Sequence, residues 1–226
     1  NDATEIKKEL VKLVDETLSQ PKNSGLQITS TIVDTIVDKC SSHPNVLKNM
    51  ALLSFMDYTT TVHSVNVMAL TLNYCIFNQF PVKETRQMGI AALLHDLGKS
   101  ELSDEIINSK NKLTDYEFTK IKKHPGTGLS ILKYSGINLQ AAHEGVLEHH
   151  EKLDGSGYPD GKTDISESGR LLGIIDSYEV ITNDSRSYRM SLNPIEGLKV
   201  LKRDVENGKY DKHIFEKFAY SLTKKY

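Results

Sequence analysis

The sequence has little cysteine, no excess of charge of one sign and no long apolar run. Its two cysteines, Cys40 and Cys75, lack CxxC spacing, which predicts reduced, buried thiols in a cytoplasmic protein, with a disulfide as the alternative. The 28 basic and 30 acidic residues give a net charge of −2, so no basic excess favours a nucleic-acid polymer as partner. No apolar run reaches about 18 residues and no charged-then-apolar leader opens the chain, so no membrane span is expected. A small anionic ligand stays compatible with this composition, because its site needs only local positive charge.

Apolar residues recur at helical spacing along most of the 226 residues. In the first segment, for example, Ile6, Leu10, Leu13 and Val14 are spaced as one face of a helix. No stretch alternates as a strand does, so the predicted fold class is all-α. Helices are expected at 2–19, 26–40, 45–56, 59–78, 82–98, 138–150, 168–182, 194–206 and 211–224.

Two further helix starts are marked by capping signals. Thr114, with Glu117 three residues later, forms the pattern of a capping box. Pro125 is expected in the first turn of another helix. Short turns are expected between residue 100 and Thr114, and a loop at 152–164.

Histidine is the residue type that points to chemistry. A single histidine on an apolar face is usually a hydrogen-bonded core residue, so each alone is weak evidence. The pair His95–Asp96, the pair His149–His150 and Asp176 together favour a metal site with nitrogen and oxygen ligands, suited to Fe, Mn, Zn or Ni. The eight histidines are His43, His63, His95, His124, His143, His149, His150 and His213.

The segment "LLHDLGK" at 93–99 places His95 and Asp96 at the end of an apolar helix. Both reach one centre only if it lies at that helix end, and the two oxygens of Asp96 could then bridge two metals. Lys99 lies three residues after Asp96, where its charge would suit a phosphate oxygen. The alternative is a helix-capping aspartate after a chance histidine, with Lys99 in solvent.

Five motifs in a fixed order resemble the HD-GYP domains, a bacterial branch of the HD-domain metal-dependent phosphohydrolases. The joined "HHE-x-x-DGSGYP" is the most specific of them, and an HD pair alone is weak. The motifs are "HS" at 63–64, "HDLGK" at 95–99, "HP" at 124–125, "EHHEKLDGSGYP" at 148–159 and "IIDSYEVIT" at 174–182.

The resemblance implies an all-α HD-domain helical bundle around a buried metal site, with N-terminal helices. It places the catalytic domain at 45–226, and leaves 1–44 as a packing segment, a linker or a dimer helix. It also implies hydrolysis of cyclic di-GMP to the linear dinucleotide pGpG, to GMP or to both, within a longer signalling protein of the bacterial cytoplasm.

The resemblance further implies two divalent metals, Fe or Mn in preference to Ni or Zn. Two metals about 3.5–4 Å apart can hold the attacking hydroxide between them and clamp the phosphoryl oxygens. The first metal would take His63, His95, Asp96 and Asp176, and the second would take Asp96, His124, His149 and His150. Asp96 and Lys99 would be catalytic, and the substrate contacts would be Lys99, Glu179, Arg186 and Arg189.

The sequence departs from the family pattern at several positions. Thr59 stands where a third-metal carboxylate would lie, so two metals are favoured over three. Glu179 replaces a shorter aspartate, one extra residue precedes Arg186, and Ser187 replaces a proline, which loosens the expected substrate contacts.

The motif loop comprises Asp154, Gly155, Gly157, Tyr158 and Pro159. The two glycines are expected at backbone turns that a side chain would forbid, with the proline stiffening the exit. Tyr158 either forms a local hydrogen bond or is offered to a signalling partner.

Two other functions stay open. The chain could hydrolyse another substrate, such as a mixed cyclic dinucleotide, a linear dinucleotide or a nucleoside phosphate. It could instead be a non-catalytic module that binds cyclic di-GMP or a partner. Retention of all seven expected ligands argues against the second alternative, since a pure binding module does not need them.

Overall fold

The structure, a computed structural model, describes residues 2–18, 24–40, 59–107, 109, 112–183 and 192–223. Every regular element in these ranges is a helix, which confirms the all-α prediction. The expected helix at 45–56 and the expected domain boundary after residue 44 lie outside the described residues. The helices are α1 (Asp2–Leu18), α2 (Ser24–Cys40), α3 (Thr60–Phe77), α4 (Val82–Leu94), a 3₁₀ helix (Leu97–Glu101), α5 (Asp104–Ile107), α6 (Asp115–Ile121), α7 (His124–Tyr134), α8 (Gln140–Glu148), α9 (Glu167–Asn183), α10 (Pro194–Glu206) and α11 (Lys212–Thr223).

Helix starts follow the capping chemistry predicted from the sequence. The Glu117 N–H donates to Thr114 Oγ1 at 3.3 Å and the Thr114 N–H donates to the Glu117 carboxylate at 2.7 Å, which completes the capping box of α6. Pro125 lies in the first turn of α7, where its missing N–H leaves no partner unsatisfied. Thr59 caps α3 by accepting from the Val62 N–H at 3.2 Å.

Helix α3 lies at the centre of the bundle and is buried on all sides from Thr61 to Cys75. It packs against α1, α4, α9 and α11. A helix enclosed in this way is mostly apolar around its circumference, and polar side chains that it buries, such as Asn66 and Thr71, donate hydrogen bonds inside the bundle. His63 therefore lies on a helix whose position is fixed by packing against the surrounding helices.

The two N-terminal helices belong to the same bundle. Helix α1 packs on α3, and α2 packs on α4. Val14 and Val33 share one hydrophobic core with Leu72 of α3. The Thr61 hydroxyl donates to the Asp15 carboxylate at 2.9 Å, so a polar contact adds to the apolar packing of α1.

One expected core position in α1 is wrong. Leu13 is 41% exposed, whereas Leu10, Val11 and Val14 are buried together with Lys7. The helix is rotated so that the face containing Lys7 meets the bundle, and the apolar spacing alone did not distinguish the two faces.

The chain turns directly after α4, earlier than the expected helix end at Gly98. Helix α4 ends at Leu94, and the following 3₁₀ helix lies against the start of α7. A Cβ on Gly98 would lie 1.9 Å from the carbonyl oxygen of His124, so only glycine permits this approach. The close approach brings the residues after Leu94 next to His124.

No helix in the described part of the chain has both the length and the apolar character needed to cross a membrane.

Candidate metal centre

Seven side chains that the sequence predicts as ligands converge in the interior of the bundle. They come from the start of α3, the end of α4, the start of α7, the end of α8 and the middle of α9. Six are buried and His150 is partly exposed, so the cluster is most accessible on the side of His150. The seven are His63, His95, Asp96, His124, His149, His150 and Asp176.

Asp96 lies between two groups of histidine nitrogens. Its Oδ2 is 3.5 Å from Nε2 of both His63 and His95. Its Oδ1 is 3.2 Å from Nε2 of His124 and 3.8 Å from Nε2 of His149. The two oxygens of one carboxylate thus face different histidine groups, the arrangement that a bridging role requires.

The first group contains His63, His95 and Asp176. The Nε2 atoms of the two histidines are 3.1 Å apart, and Asp176 Oδ1 lies 3.0 Å from Nε2 of His63 and 3.8 Å from Nε2 of His95. The other oxygen of Asp176 lies 3.8 Å from Nδ1 of His150. Asp176 therefore reaches towards the second group as well, although the sequence pattern assigns it to the first alone.

The second group contains Asp96, His124, His149 and His150. One ligand atom from each lies within 4.8 Å of those of the other three, and Nε2 of His124 is 3.2 Å from Nε2 of His149. His149 and His150 both contribute because α8 ends at Glu148 and the chain turns there. Two consecutive imidazoles can then face one centre.

Backbone carbonyls fix the tautomers of three rings. Nδ1 of His95, His124 and His149 lies 2.7, 2.7 and 2.9 Å from a carbonyl oxygen three residues earlier. A carbonyl only accepts, so Nδ1 carries the hydrogen and Nε2 of the neutral ring carries a lone pair. The lone pairs of His124 and His149 thus face one another across 3.2 Å, an arrangement that a shared cation would stabilise.

Burial lowers the pKa of His95 and His124, and neighbouring positive groups lower the pKa of the carboxyls of Asp96 and Asp176. Burial, with the nearby His63 and His149, lowers the pKa of His95 to about 3 against the opposing effect of Asp96. Burial opposes ionisation of Asp96, but Lys99 and His95 outweigh it and hold the pKa of this carboxyl well below its usual range. The centre therefore presents lone pairs and negative charge in a buried place.

His63 is the exception among the histidines. Burial lowers its pKa, but Glu179 and Asp176 outweigh that effect and raise the pKa of His63 to about 10. A proton on this ring thus partly balances the surrounding carboxylates. A cation next to Nε2 of His63 would balance the same negative charge.

These observations fit a metal centre. Asp96 Oδ1 is buried and, among the described residues, accepts no hydrogen bond, so it has coordination capacity to spare. Imidazole nitrogens and carboxylate oxygens suit Fe, Mn, Ni and Zn alike, so the donor set indicates a first-row divalent metal without selecting one.

Lys99 lies at the edge of the centre. Its Nζ donates to Asp96 Oδ2 at 2.6 Å, and its side chain is 26% exposed. Its ammonium group therefore lies between the buried carboxylate and solvent, on the side from which a phosphate oxygen would approach.

Glu179 lies behind His63, and its expected role as a substrate contact needs correction. Its carboxylate accepts from Nδ1 of His63 at 2.6 Å and from Nδ2 of Asn66 at 2.6 Å. The side chain is fully buried, so no surface is left for a ligand. The glutamate orients the imidazole, which sequence reasoning missed because the contact spans two distant helices.

The loop after the paired histidines is held by side chains that accept backbone N–H groups. Glu151 is buried, and its carboxylate accepts from the N–H groups of Asp160 at 2.7 Å and Lys162 at 3.0 Å. Asp154 accepts from the Ser156 N–H at 3.0 Å. The sequence motif contains Glu151 without indicating its role, although an acidic residue before a glycine-rich loop is the available signal.

The expected glycine turns of the loop are present. Gly155 has a φ of +76°, and a Cβ on Gly157 would lie 2.4 Å from the backbone nitrogen of Lys152. The chain then passes through a cis peptide between Tyr158 and Pro159.

Tyr158 packs on a predicted ligand. Its ring stacks on that of His150 with centroids 4.6 Å apart and an interplanar angle of 28°, and its N–H donates to the His150 carbonyl at 3.2 Å. The ring of Phe118 meets it edge-on at 6.2 Å, and Lys122 Nζ lies 5.8 Å from its centroid. Tyr158 thus has a local packing role that neither expectation from the sequence included.

The remaining candidates lie elsewhere. Arg186 and Arg189, the expected substrate arginines, fall outside the described residues. His143 lies 2.6 Å from the Ile137 carbonyl oxygen and outside the cluster, and His213 is exposed on α11, as expected of residues without a site role.

Cys75 is buried and free, as expected of a reduced thiol. Nothing in the described side chains tests the same expectation for Cys40.

An all-helical bundle with a buried histidine–aspartate pair at its centre defines the HD class of proteins. The model of the HD domain family matches residues 36–214, most of the chain. The chain therefore belongs to the HD domain family.

The chain also resembles curated proteins. It is 35% identical over 195 residues to a cyclic di-GMP phosphodiesterase of Pseudomonas aeruginosa, a match that covers 85% of this chain and 46% of that protein. It is 29% identical over 137 residues to the 3'3'-cGAMP-specific phosphodiesterase 1 of Vibrio cholerae, covering 60% of this chain and 31% of that protein. The chain thus spans less than half the length of either relative.

Its fold matches that of Bd1817, an HDG"Y"P protein from Bdellovibrio bacteriovorus, with a TM-score of 0.80 and coverage of 98% of this chain and 72% of that one. The sequence identity is 19%, so this likeness shows the fold alone. It confirms the predicted HD-domain helical bundle.

Proposed function

We propose that the chain is a metal-dependent phosphodiesterase that hydrolyses cyclic di-GMP to pGpG, to GMP or to both. The observation that carries the proposal is the position of Asp96, whose two oxygens face two separate groups of buried histidine nitrogens. The similarity to a cyclic di-GMP phosphodiesterase over 85% of the chain supports the choice of substrate.

In this proposal two divalent metals, Fe or Mn in preference to Ni or Zn, are held with Asp96 as the shared ligand. One site takes His63, His95 and Asp176, and the other takes His124, His149 and His150, with Asp176 close to both. Thr59 supports two metals over three, because its hydroxyl caps α3.

Such a metal pair would activate water and neutralise charge on the phosphoryl group. The protein's own contribution lies in its side chains. Lys99 places a positive charge 2.6 Å from Asp96 at the exposed edge, where it would bind a non-bridging phosphate oxygen and offset charge in the transition state. Glu179 orients His63 by accepting its Nδ1 hydrogen. Arg186 and Arg189 remain the proposed contacts to a substrate phosphate.

The partners beyond substrate are also proposals. Tyr158 is stacked on His150, which supports a role in fixing that imidazole more than one in binding a signalling partner. Residues 1–44 are proposed to be a structural part of the HD-GYP unit, because α1 and α2 share its core; a homodimer through these helices is the alternative.

The test is turnover by protein purified without oxygen and loaded with Fe²⁺ or Mn²⁺. We expect cyclic di-GMP to disappear and pGpG or GMP to form, with activity lost in His95→Ala and retained in His213→Ala, a matched change on the surface of α11. Metal-loaded protein that binds cyclic di-GMP tightly without forming product would support the non-catalytic module instead.

A mixed cyclic dinucleotide is a second candidate substrate. The match to a 3'3'-cGAMP-specific phosphodiesterase, 29% identical over 137 residues, motivates it. Comparing kcat/KM for cyclic di-GMP, 3'3'-cGAMP, pGpG and a nucleoside phosphate on the same preparation decides among these substrates.

A further inference from the structure

The loop between α10 and α11, residues 207–211, contacts two segments that carry candidate ligands, although it lies outside the five sequence motifs. The carbonyl oxygen of Lys209 accepts from the N–H of Leu153 at 3.0 Å. The carboxylate of Asp211 accepts from Nη1 of Arg170 in α9 at 2.7 Å. The loop is therefore bound both to the segment that follows the paired histidines and to α9.

Tyr210 is the buried aromatic residue of this loop, and its ring belongs to the hydrophobic core. Its hydroxyl is 2.5 Å from Nζ of Lys152 and 2.5 Å from Oγ of Ser177, with a hydrogen bond to each. The ammonium group only donates, so the tyrosine oxygen accepts from Lys152. Nζ of Lys152 also lies 4.0 Å from the centroid of the tyrosine ring. One hydroxyl thus joins the segment after the paired histidines to α9.

The two partners of the hydroxyl are close in sequence to two candidate ligands that face each other. Lys152 follows His150 by two positions, and Ser177 follows Asp176 by one. Nδ1 of His150 and Oδ2 of Asp176 are 3.8 Å apart. Asp176 lies within a long helix, but His150 lies beyond the end of α8, where the hydrogen bonds of that helix no longer fix the backbone. The position of His150 relative to Asp176 therefore depends on contacts outside the helices.

We propose that Tyr210 is a positioning residue for the metal centre. Its hydroxyl holds the segment after His150 against α9 and so keeps His150 and Asp176 at a spacing that allows them to share a metal ion. The loop between the last two helices is then a working part of the centre, although it contributes no ligand. This role rests on the proposed function only in that the cluster must bind two metal ions, and it is independent of the substrate.

The experiment is a titration of metal-free protein with Co²⁺, followed by the visible absorption of the bound ions and by competition with a chelator. His150→Ala identifies which of the two ions depends on His150. Tyr210→Phe keeps the ring and removes the hydroxyl, and we expect it to weaken binding of that ion by about 10-fold, the lower end of the effect of losing support behind a ligand. The other ion should keep its wild-type affinity. Tyr134→Phe, at a position of α7 that is 86% exposed, should leave both affinities unchanged.

A second variant keeps the test sound if Tyr210→Phe folds poorly. Ser177→Ala removes one partner of the hydroxyl and places alanine, a good helix former, in α9. It should weaken binding of the same ion by a smaller factor, because the bond from Lys152 to Tyr210 remains. If Ser177 acts through the tyrosine, the double variant binds Co²⁺ no more weakly than Tyr210→Phe alone.

Two results would overturn this role for Tyr210. One is wild-type affinity for both ions in Tyr210→Phe, even if that variant is less stable to heat. The other is an equal loss for both ions, which would indicate a general loss of structure. Wild-type protein that binds fewer than two Co²⁺ ions would contradict the metal centre and this role together. The proposed function fails by a different observation, two bound ions without hydrolysis of cyclic di-GMP, so the failures are distinguishable.

Discussion

The ring of Tyr158 lies flat on the ring of His150, with centroids 4.6 Å apart. His150 is the one candidate ligand that is partly exposed, so it is the one whose orientation most needs support from a neighbour. The stacked tyrosine covers one face of the imidazole. The loop that carries "GYP" therefore contributes to the candidate centre by packing against it.

The stacking makes the ring of Tyr158, and not its hydroxyl, the functional part. Tyr158→Phe should keep near wild-type turnover of cyclic di-GMP and near wild-type metal content. Tyr158→Leu should lose about 10- to 100-fold in activity, as expected when support behind a ligand is removed. Steady-state kinetics with elemental analysis on both variants checks this. Equal activity in Tyr158→Leu and wild type would show that the stack has no role in the reaction.

Removal of the bridging carboxylate should affect both halves of the centre. Asp96→Asn keeps the shape of the side chain but loses the charge that both histidine groups face. We expect the variant to retain less than half of the wild-type metal and to lose about 10³-fold or more in kcat, because bridging and charge disappear together. The matched control is Asp164→Asn, at an exposed position of the loop that follows His149 and His150. Full metal content in Asp96→Asn would argue against a bridge.

Lys99 should matter for turnover and little for metal binding. Lys99→Met removes a charge that lies 2.6 Å from Asp96, and it leaves every candidate ligand in place. We expect kcat for cyclic di-GMP to fall by about 10²- to 10³-fold, the usual effect of losing one group that stabilises developing charge. Metal content measured on the same sample should stay at the wild-type level. Lys133→Met, an exposed change on α7, should leave both quantities unchanged; loss of metal from Lys99→Met would point to a structural role.

Glu151 should stabilise the loop that carries Tyr158. Its carboxylate accepts two backbone N–H groups in a buried place, and an amide in Glu151→Gln can satisfy only one of them. We expect a cost of about 1–3 kcal/mol in the free energy of unfolding, measured by urea denaturation, together with faster proteolysis within 152–164. Glu216→Gln on the exposed side of α11 is the control. Unchanged stability and proteolysis would mean that the loop is held by other contacts.

Metal removal should lower thermal stability. A ligand at 100 times its Kd stabilises the folded state by about 2.7 kcal/mol. For a chain of this length that corresponds to about 5–10 °C in Tm. Calorimetry with and without a chelator measures the difference. The same Tm in both samples would indicate that no metal binds to the folded protein.

Much of the fold was readable from the sequence because its signals are local. The capping box of Thr114 and Glu117 and the proline in the first turn of α7 need only neighbours a few residues away. Helical spacing identified the elements, but it assigned the wrong face to part of α1. Leu13 is exposed and Lys7 is buried, because the face of α1 that meets the bundle is set by its packing on α3, which the apolar spacing of α1 alone does not encode.

The candidate ligands were readable for a different reason. Imidazoles and carboxylates in ordered motifs carry a chemical signal that survives without knowledge of the packing, and all seven meet in the structure. The roles of the residues that contact these ligands from behind could not be predicted from the sequence. Glu179 and Glu151 act through buried contacts across α3 and the loop, and a carboxylate in the sequence does not reveal whether it faces substrate, an imidazole or a backbone N–H.

The central claim is a two-metal phosphodiesterase centre joined by Asp96. The measurement that tests it most directly is a titration of metal-free protein with Mn²⁺, without oxygen, while hydrolysis of cyclic di-GMP is followed. The account predicts little activity at one equivalent and a plateau at two equivalents per chain. Full activity at a single equivalent, or no hydrolysis at any amount of bound metal, would contradict it.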